Sequence, residues 1–180
     1  VRMVERATPS EPEMAADRGG ILLLGVGLNT FFDNRCQSSS SSGCARGVGG
    51  WLGAEVGGHV ASVDEHPGFF LTASLALYMG AAWAGRVGMR LGFDIQLYAT
   101  DDAEVAVLLT PSMLVGFSLA WLHPSIGPYG LVALEPAADV QVLLDRGAFG
   151  VWLRPGGFDF QFLSAFSARW NLVGGVQWRW

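Results

Sequence analysis

The chain has 180 residues, a length that suits a single domain able to bury a core or close a barrel. Hydrophobic residues make up 51% of it and charged residues only 15%, whereas about a quarter of an average soluble domain is charged. An apolar solvent is therefore expected around much of the surface. The net charge is −5 and the 11 basic residues, all arginine, are scattered, which argues against nucleic acid as a partner.

Residues 1–18 form a polar and acidic segment that contains Pro9 and Pro12 and has little periodic apolar content. This composition predicts a flexible N-terminal arm, followed by one folded domain over residues 19–180. The arm has no signal-peptide pattern, so we expect the sequence to be the mature chain of a protein that is exported.

Apolar stretches separated by turn residues follow from Gly19 onward, and they alternate with a period of two residues. They predict about eight strands, in chain order 20–31, 47–61, 69–82, 86–100, 104–121, 130–144, 148–162 and Ala168 to Trp180. In the fourth, apolar side chains from Val87 to Ala99 alternate with Arg86, Arg90, Asp94 and small or polar residues. A strand places these charges on one face, opposite an apolar face, as in transmembrane barrels.

The connections divide into two kinds when the strands run up and down and both termini lie on one side. Short turns are expected on that side, at Val63–Gly68, Thr100–Ala103 and Asp145–Gly147. External loops are expected at Asp33–Arg46, at His123–Tyr129 and around Gly156–Phe158, while Ala84–Gly85 is a short external connection. This asymmetry is typical of transmembrane barrels. The predicted fold is therefore all-β, an antiparallel up-and-down transmembrane β-barrel.

Two other folds stay open at this point. Residues 68–85 and 105–122 each run 18 residues without a charged side chain, near the lower length for a membrane-spanning helix. Arg90, Asp94 and Arg179 disfavour helices in the stretches with the clearest alternation. A soluble barrel or sandwich would instead hide the apolar face inside and leave the charged face to water.

The inward face of the predicted barrel carries charges of both signs. The carboxylates are Glu55, Asp94, Glu135 and Asp139, and the cations are Arg90, Arg154, Arg169 and Arg179. An eight-stranded barrel has an interior just wide enough for side chains to fill, so these groups are expected to pair with each other. The sequence predicts a lumen sealed by salt bridges, with a narrow passive channel as the alternative.

Cys36 and Cys44 bracket a run of serines in a segment without strand or helix pattern. A disulfide that closes a small loop is expected there, in an oxidising compartment, with two free thiols as the alternative. The three histidines are not spaced with these cysteines as in a zinc motif, and we predict neither a metal site nor a cofactor.

The C-terminal stretch from Trp170 to Trp180 alternates apolar positions and ends on an aromatic residue. It resembles the C-terminal signature of bacterial outer-membrane β-barrel proteins, and the size and strand count are similar to those of the OmpA/OmpX type. The resemblance implies location in the Gram-negative outer membrane, with membrane lipid and the barrel-assembly machinery as partners. Trp170, Trp178 and Trp180 are expected to form the assembly signal and part of an interfacial aromatic belt.

The predicted function is non-enzymatic: a structural or partner-binding protein of the outer membrane. Its external loops or its N-terminal arm would contact a protein partner. The alternative is a lipid hydrolase, because His123 and Ser125, with Glu135 on the next strand, loosely resemble the catalytic residues of outer-membrane lipid A deacylases. In this chain Pro124 separates the pair and Glu135 is predicted to point inward.

Overall fold

The computed structural model describes residues 19–33, 47–63, 66–80, 83–102, 104–121, 129–162 and 167–180. These residues form the strands β1 (Gly20–Asp33), β2 (Gly47–Val63), β3 (His66–Met79), β4 (Trp83–Phe93), β5 (Ile95–Ala99), β6 (Val105–Trp121), β7 (Tyr129–Leu144), β8 (Phe149–Phe162) and β9 (Ser167–Arg179). Among the described residues, no helix is long and apolar enough to cross a membrane. The two uncharged stretches that left membrane helices open lie largely in β3, β4 and β6 instead.

The strands pair antiparallel in the order β4-β3-β2-β1-β9-β8-β7-β6-β5, and β4 also pairs with β6. Both β4 and β5 run along β6, at different heights, so together they fill one position. The sheet therefore closes on itself as an eight-stranded up-and-down barrel, which confirms the predicted fold. Closure leaves no free edge, so the backbone polar groups of the wall can pair with neighbouring strands.

The first and last strands close the wall with an uninterrupted seam. Their register runs without a break from Ile21 opposite Arg179 to Asp33 opposite Ser167. Beyond it, the backbone N–H of Gly20 donates to the carbonyl of Trp180 at 2.8 Å, and the N–H of Trp180 donates back at 3.1 Å. A Cβ on Gly20 would lie 2.2 Å from the Trp180 ring, so the glycine makes room for the C-terminal indole.

The alternation sorts side chains between the two faces of the wall as predicted. On β4, Val87, Met89 and Leu91 are exposed on the outside, while Arg86 and Arg90 are buried. The same division holds along β9, where Arg169 and Arg179 point inward and Trp178 lies outside. The barrel is therefore apolar outside and polar inside, the reverse of a soluble fold.

The predicted continuous strand 86–100 is wrong beyond Phe93. Asp94 leaves the ladder and turns its carboxylate into the lumen, where it accepts a hydrogen bond from Thr110 at 2.8 Å. A second irregularity follows in β5, between Gln96 and Tyr98. As a result Tyr98, predicted inward, is exposed, and Ala99, predicted outward, packs against a small buried apolar cluster.

Two predicted connections are also wrong. Ala84–Gly85 lies inside β4, because the chain reverses earlier, beginning at Gly80 with a φ of 137° that favours glycine. Gly156–Phe158, predicted as an external loop, lies inside β8. Glycine and proline suggested a loop there, but they mark a bulge within the strand.

The turns on the side of the termini are short, as predicted. Asp145, Arg146 and Gly147 adopt left-handed conformations between β7 and β8, with φ of 51°, 52° and 82°. In the turn between β5 and β6, hydrogen bonds from the Thr100 side chain and the Glu104 backbone lower the pKa of Asp102.

Candidate functional site

The centre of the lumen is Glu135 on β7, a fully buried carboxylate surrounded by three arginines. Arg154 Nη1 lies 3.0 Å and Arg90 Nη2 lies 3.3 Å from its Oε1, and Arg86 Nη1 donates to its Oε2. Moving an ion from water into an apolar interior costs on the order of several kcal/mol. Opposite charges and hydrogen bonds must offset this cost for the ion to stay buried. The three guanidinium groups supply that compensation, so Glu135 joins arginines from β4 and β8.

Two further carboxylates complete the middle of this network. Arg90 Nε donates to both oxygens of Glu55, at 3.0 and 3.1 Å, and Thr72 donates to Oε2 at 3.1 Å. Arg154 makes a bidentate pair with Asp139: its Nε donates to Oδ1 at 2.7 Å, and its Nη2 donates to Oδ2 at 2.9 Å. Arginine suits this position because its planar fork matches the two oxygens of a carboxylate.

A second group lies toward the end of the barrel opposite the termini. Arg86 Nη1 contacts Asp159 Oδ2 at 3.2 Å, and the hydroxyl of Tyr78 donates to the same oxygen at 2.9 Å. The guanidinium of Arg169 lies 4.2 Å from the centre of the Tyr78 ring, within cation–π distance. Tyr78 thus contacts both charged residues, Asp159 through its hydroxyl and Arg169 through its ring.

A third group lies toward the end that holds the termini. Arg179 Nη1 is 2.8 Å from Asp94 Oδ2, and its Nη2 donates to Gln141 at 2.7 Å. Gln141 in turn donates to Thr110 at 2.9 Å. His59 Nε2 also lies 3.3 Å from Asp94. Residues of β2, β6, β7 and β9 therefore meet Asp94, which lies between β4 and β5, in one polar layer.

Among the described residues, the buried charges of the lumen balance. Five carboxylates are buried, Glu55, Asp94, Glu135, Asp139 and Asp159, and five arginines, Arg86, Arg90, Arg154, Arg169 and Arg179. Five negative and five positive charges sum to zero. A small cavity of about 10 Å³ lies between Glu55, Asp94 and Arg179, about the size of one water molecule.

Arg86 and Asp159 were missing from the predicted network. Arg86 stands on the polar side of the predicted fourth strand, so its parity with Arg90 was the signal that could have included it. Asp159 was missed because it follows the segment predicted as a loop. The inward direction of the Asp159 side chain can be predicted only once the bulge at Pro155 and Gly156 is known.

That bulge decides which way two charged side chains point. Arg154 lies opposite Val173 and Gly157 lies opposite Asn171, so two β8 residues face one residue of β9. An extra residue reverses the alternation, and it lets both Arg154 and Asp159 face the lumen although their numbers differ in parity. In a regular strand one of these charges would face outward.

The remaining predicted site residues lie elsewhere. Trp178 and Trp180 are exposed on the outside near the termini, and the rings of Trp178 and Phe149 lie 5.5 Å apart. Cys36, Cys44, His123 and Ser125 lie outside the described residues, so the predicted disulfide has no structural support. Within the described part of the chain, no group of three His, Cys, Asp or Glu side chains could hold a metal ion.

Comparison with solved structures shows the same architecture. The neisserial surface protein A (NspA) aligns with a TM-score of 0.56 and 8% identity, covering 90% of this chain and 97% of that one. The N-terminal β-barrel domain of Pseudomonas aeruginosa OprF aligns with a TM-score of 0.51 and 10% identity, covering 89% and 98%. No protein-family model and no characterised protein matches the sequence. This chain therefore has the fold of the small eight-stranded bacterial outer-membrane β-barrels.

Proposed function

We propose that the protein is an integral protein of the bacterial outer membrane that serves as a closed scaffold rather than as a pore or an enzyme. Its outer surface supports membrane insertion, because large apolar side chains such as Val26, Val56, Leu75 and Val87 are more than half exposed on the four neighbouring strands β1 to β4. Lipid stabilises such a surface, whereas water would penalise it.

The observation that carries the closed lumen is the charge-balanced network around Glu135. Arg86, Arg90 and Arg154 are each only 1% exposed, and each is paired with a carboxylate on another strand. Apolar side chains flank the network, with Leu108 and Leu143 toward the termini and Leu131 with several alanines toward the other end. An interior filled in this way, over the described residues, supports a lumen without a continuous water path for ions.

Bilayer recording tests this proposal. Purified, refolded protein added to a planar lipid bilayer should produce no discrete conductance steps, since ions cannot pass the paired charges. Flotation of the same protein with lipid vesicles serves as the control for insertion. Reproducible steps with a single-channel amplitude, seen with this protein and absent with detergent alone, would refute the closed lumen and favour the narrow channel.

A scaffold acts through what it presents at its ends, so the partner-binding role rests on the external loops and the N-terminal arm. Loops of a β-barrel commonly carry function while the wall positions them. A Cys36–Cys44 disulfide would tie the first external loop. One of the similar structures is named a surface protein. The assembly machinery would recognise the strand that ends at Trp180, and membrane lipid would cover the wall.

The hydrolase alternative gains no support from Glu135. Its carboxylate contacts three arginines in the middle of the lumen, so it is engaged in ion pairs. A residue that orients a catalytic histidine needs a free carboxylate oxygen directed at that histidine. The non-enzymatic role is therefore the one that the described geometry favours.

A further inference from the structure

The small cavity inside the lumen lies where the central ion pairs meet the polar layer around Asp94. Its volume is about 10 Å³, and its lining includes Glu55 and Asp139 from the centre and Gln141 and Arg179 from the layer. One water molecule needs about this much space, so the cavity can hold a single small molecule or ion. The polar groups in its wall decide what it binds.

Gln177 of β9 lines the same cavity and is fully buried. Among the described residues, neither its amide oxygen nor its amide nitrogen has a hydrogen-bond partner. The Nε of Arg179 also has none, although the Nη atoms of that side chain contact Asp94 and Gln141. Two donors and one acceptor at this cavity therefore lack a protein partner, and leaving buried polar groups unsatisfied is costly.

The charges around the cavity are already balanced. Each carboxylate in the lining pairs with an arginine: Asp94 with Arg179, Glu55 with Arg90, and Asp139 with Arg154. An added cation or anion would leave a net charge in the interior, with the high desolvation cost of an unpaired ion. A neutral molecule that both donates and accepts hydrogen bonds avoids that cost. Water is such a molecule, and a buried water typically makes about three hydrogen bonds.

We propose that this cavity is a binding site for one water molecule, held by the side-chain amide of Gln177 and by Nε of Arg179. The cavity borders both groups of ion pairs, so the bound water connects the central network to the layer around Asp94. Gln177 belongs to neither group and holds the connection between them. The site rests on the closed lumen proposed above, since an open lumen would let the water exchange freely.

Nuclear Overhauser measurements between water and protein test the site without any substitution. The full chain would be isotope-labelled and refolded in detergent micelles. Cross-peaks are expected from water to the side-chain amide protons of Gln177 and to Hε of Arg179, with opposite signs in the laboratory and rotating frames. Direct exchange of these protons with the solvent would give equal signs instead. Absence of such cross-peaks, in a sample that shows the β9 amides, would overturn the proposal.

The variant Gln177→Met distinguishes a hydrated glutamine from an unsatisfied one by the sign of its effect. Methionine is of similar size but cannot replace the hydrogen bonds of the amide. If water satisfies that amide, the substitution should raise the equilibrium constant for unfolding in urea about tenfold, which corresponds to about 1.4 kcal/mol. An unchanged or lowered constant would overturn the proposal, because methionine would then have removed a polar group that had no partner.

Leu23→Met is the matched control, because Leu23 lines the same cavity and carries no polar side-chain group. A swap of similar volume should change stability little, and the cross-peaks of Gln177 should persist. The effect of Gln177→Met should be equal in sodium chloride and in potassium glutamate. A dependence on the salt would place an ion in the cavity and overturn the assignment to water. Bilayer conductance tests the closed lumen separately, so failures of the two proposals are distinguishable.

Discussion

Replacing Glu135 by glutamine is expected to destabilise the barrel by about 3–5 kcal/mol, the cost of removing one partner from a buried ion network. Glutamine keeps the size and shape of the side chain but lacks its charge. Arg86, Arg90 and Arg154 would then lose the carboxylate they share while remaining in the lumen. Unfolding in urea, followed by the mobility of unboiled samples on gels, measures the loss.

Two companion variants make the result interpretable. Glu104→Gln removes an exposed carboxylate from the turn before β6 and should leave stability unchanged. Arg86→Gln combined with Glu135→Gln removes one charge of each sign and should be less destabilised than the sum of the two single variants. If Glu135→Gln were as stable as the parent protein, the carboxylate would not hold the three arginines together.

Replacing Leu75 by arginine should destabilise the barrel by about 2–4 kcal/mol, the cost of an arginine on the lipid face at the midplane of a membrane. Leu75 is in β3, opposite Ala54 of β2 and Val87 of β4, and its side chain is exposed on the outside. A charge placed there must be moved from water into hydrocarbon. Refolding into phospholipid vesicles at increasing urea concentrations measures the effect.

Leu75→Met is the matched control, because it changes the shape of the side chain without adding a charge, and it should refold as the parent does. Asp101→Arg is a second control: it also introduces an arginine, but in an exposed turn where lipid is not expected, so it should leave stability unchanged. Equal stability of Leu75→Arg and Leu75→Met would contradict a lipid-facing position and would favour a water-exposed outer surface.

The faces of the wall could be predicted because a strand's alternation is local. Val87 and Arg90 differ in parity, and that alone assigns them to opposite faces. The same rule predicted most of the charged residues that lie in the lumen, including the inward-pointing side chains of Glu55 and Glu135. The alternation alone did not decide between a transmembrane and a soluble barrel, because either fold can separate an apolar face from a charged one.

The departures from regular strands could not be predicted in the same way. Pro155 and Gly156 are turn residues in most settings, and only the register of β9 shows that they form a bulge. Asp94 fits the alternation perfectly, yet the strand breaks there, and its carboxylate is bound by Thr110 of the neighbouring β6 and by Arg179 of the distant β9. Both the bulge and the strand break depend on contacts with other strands. The sequence of a single strand gives no information about those contacts.

The transmembrane barrel is tested most directly by the heat-modifiable gel mobility of the detergent-refolded chain, with far-ultraviolet circular dichroism on the same sample. A closed barrel resists the detergent of the gel until it is boiled, so the unboiled protein should migrate faster than the boiled protein and give a β-type spectrum. One band of unchanged mobility with a helical spectrum would contradict both the strand register and every inward or outward position assigned to the side chains.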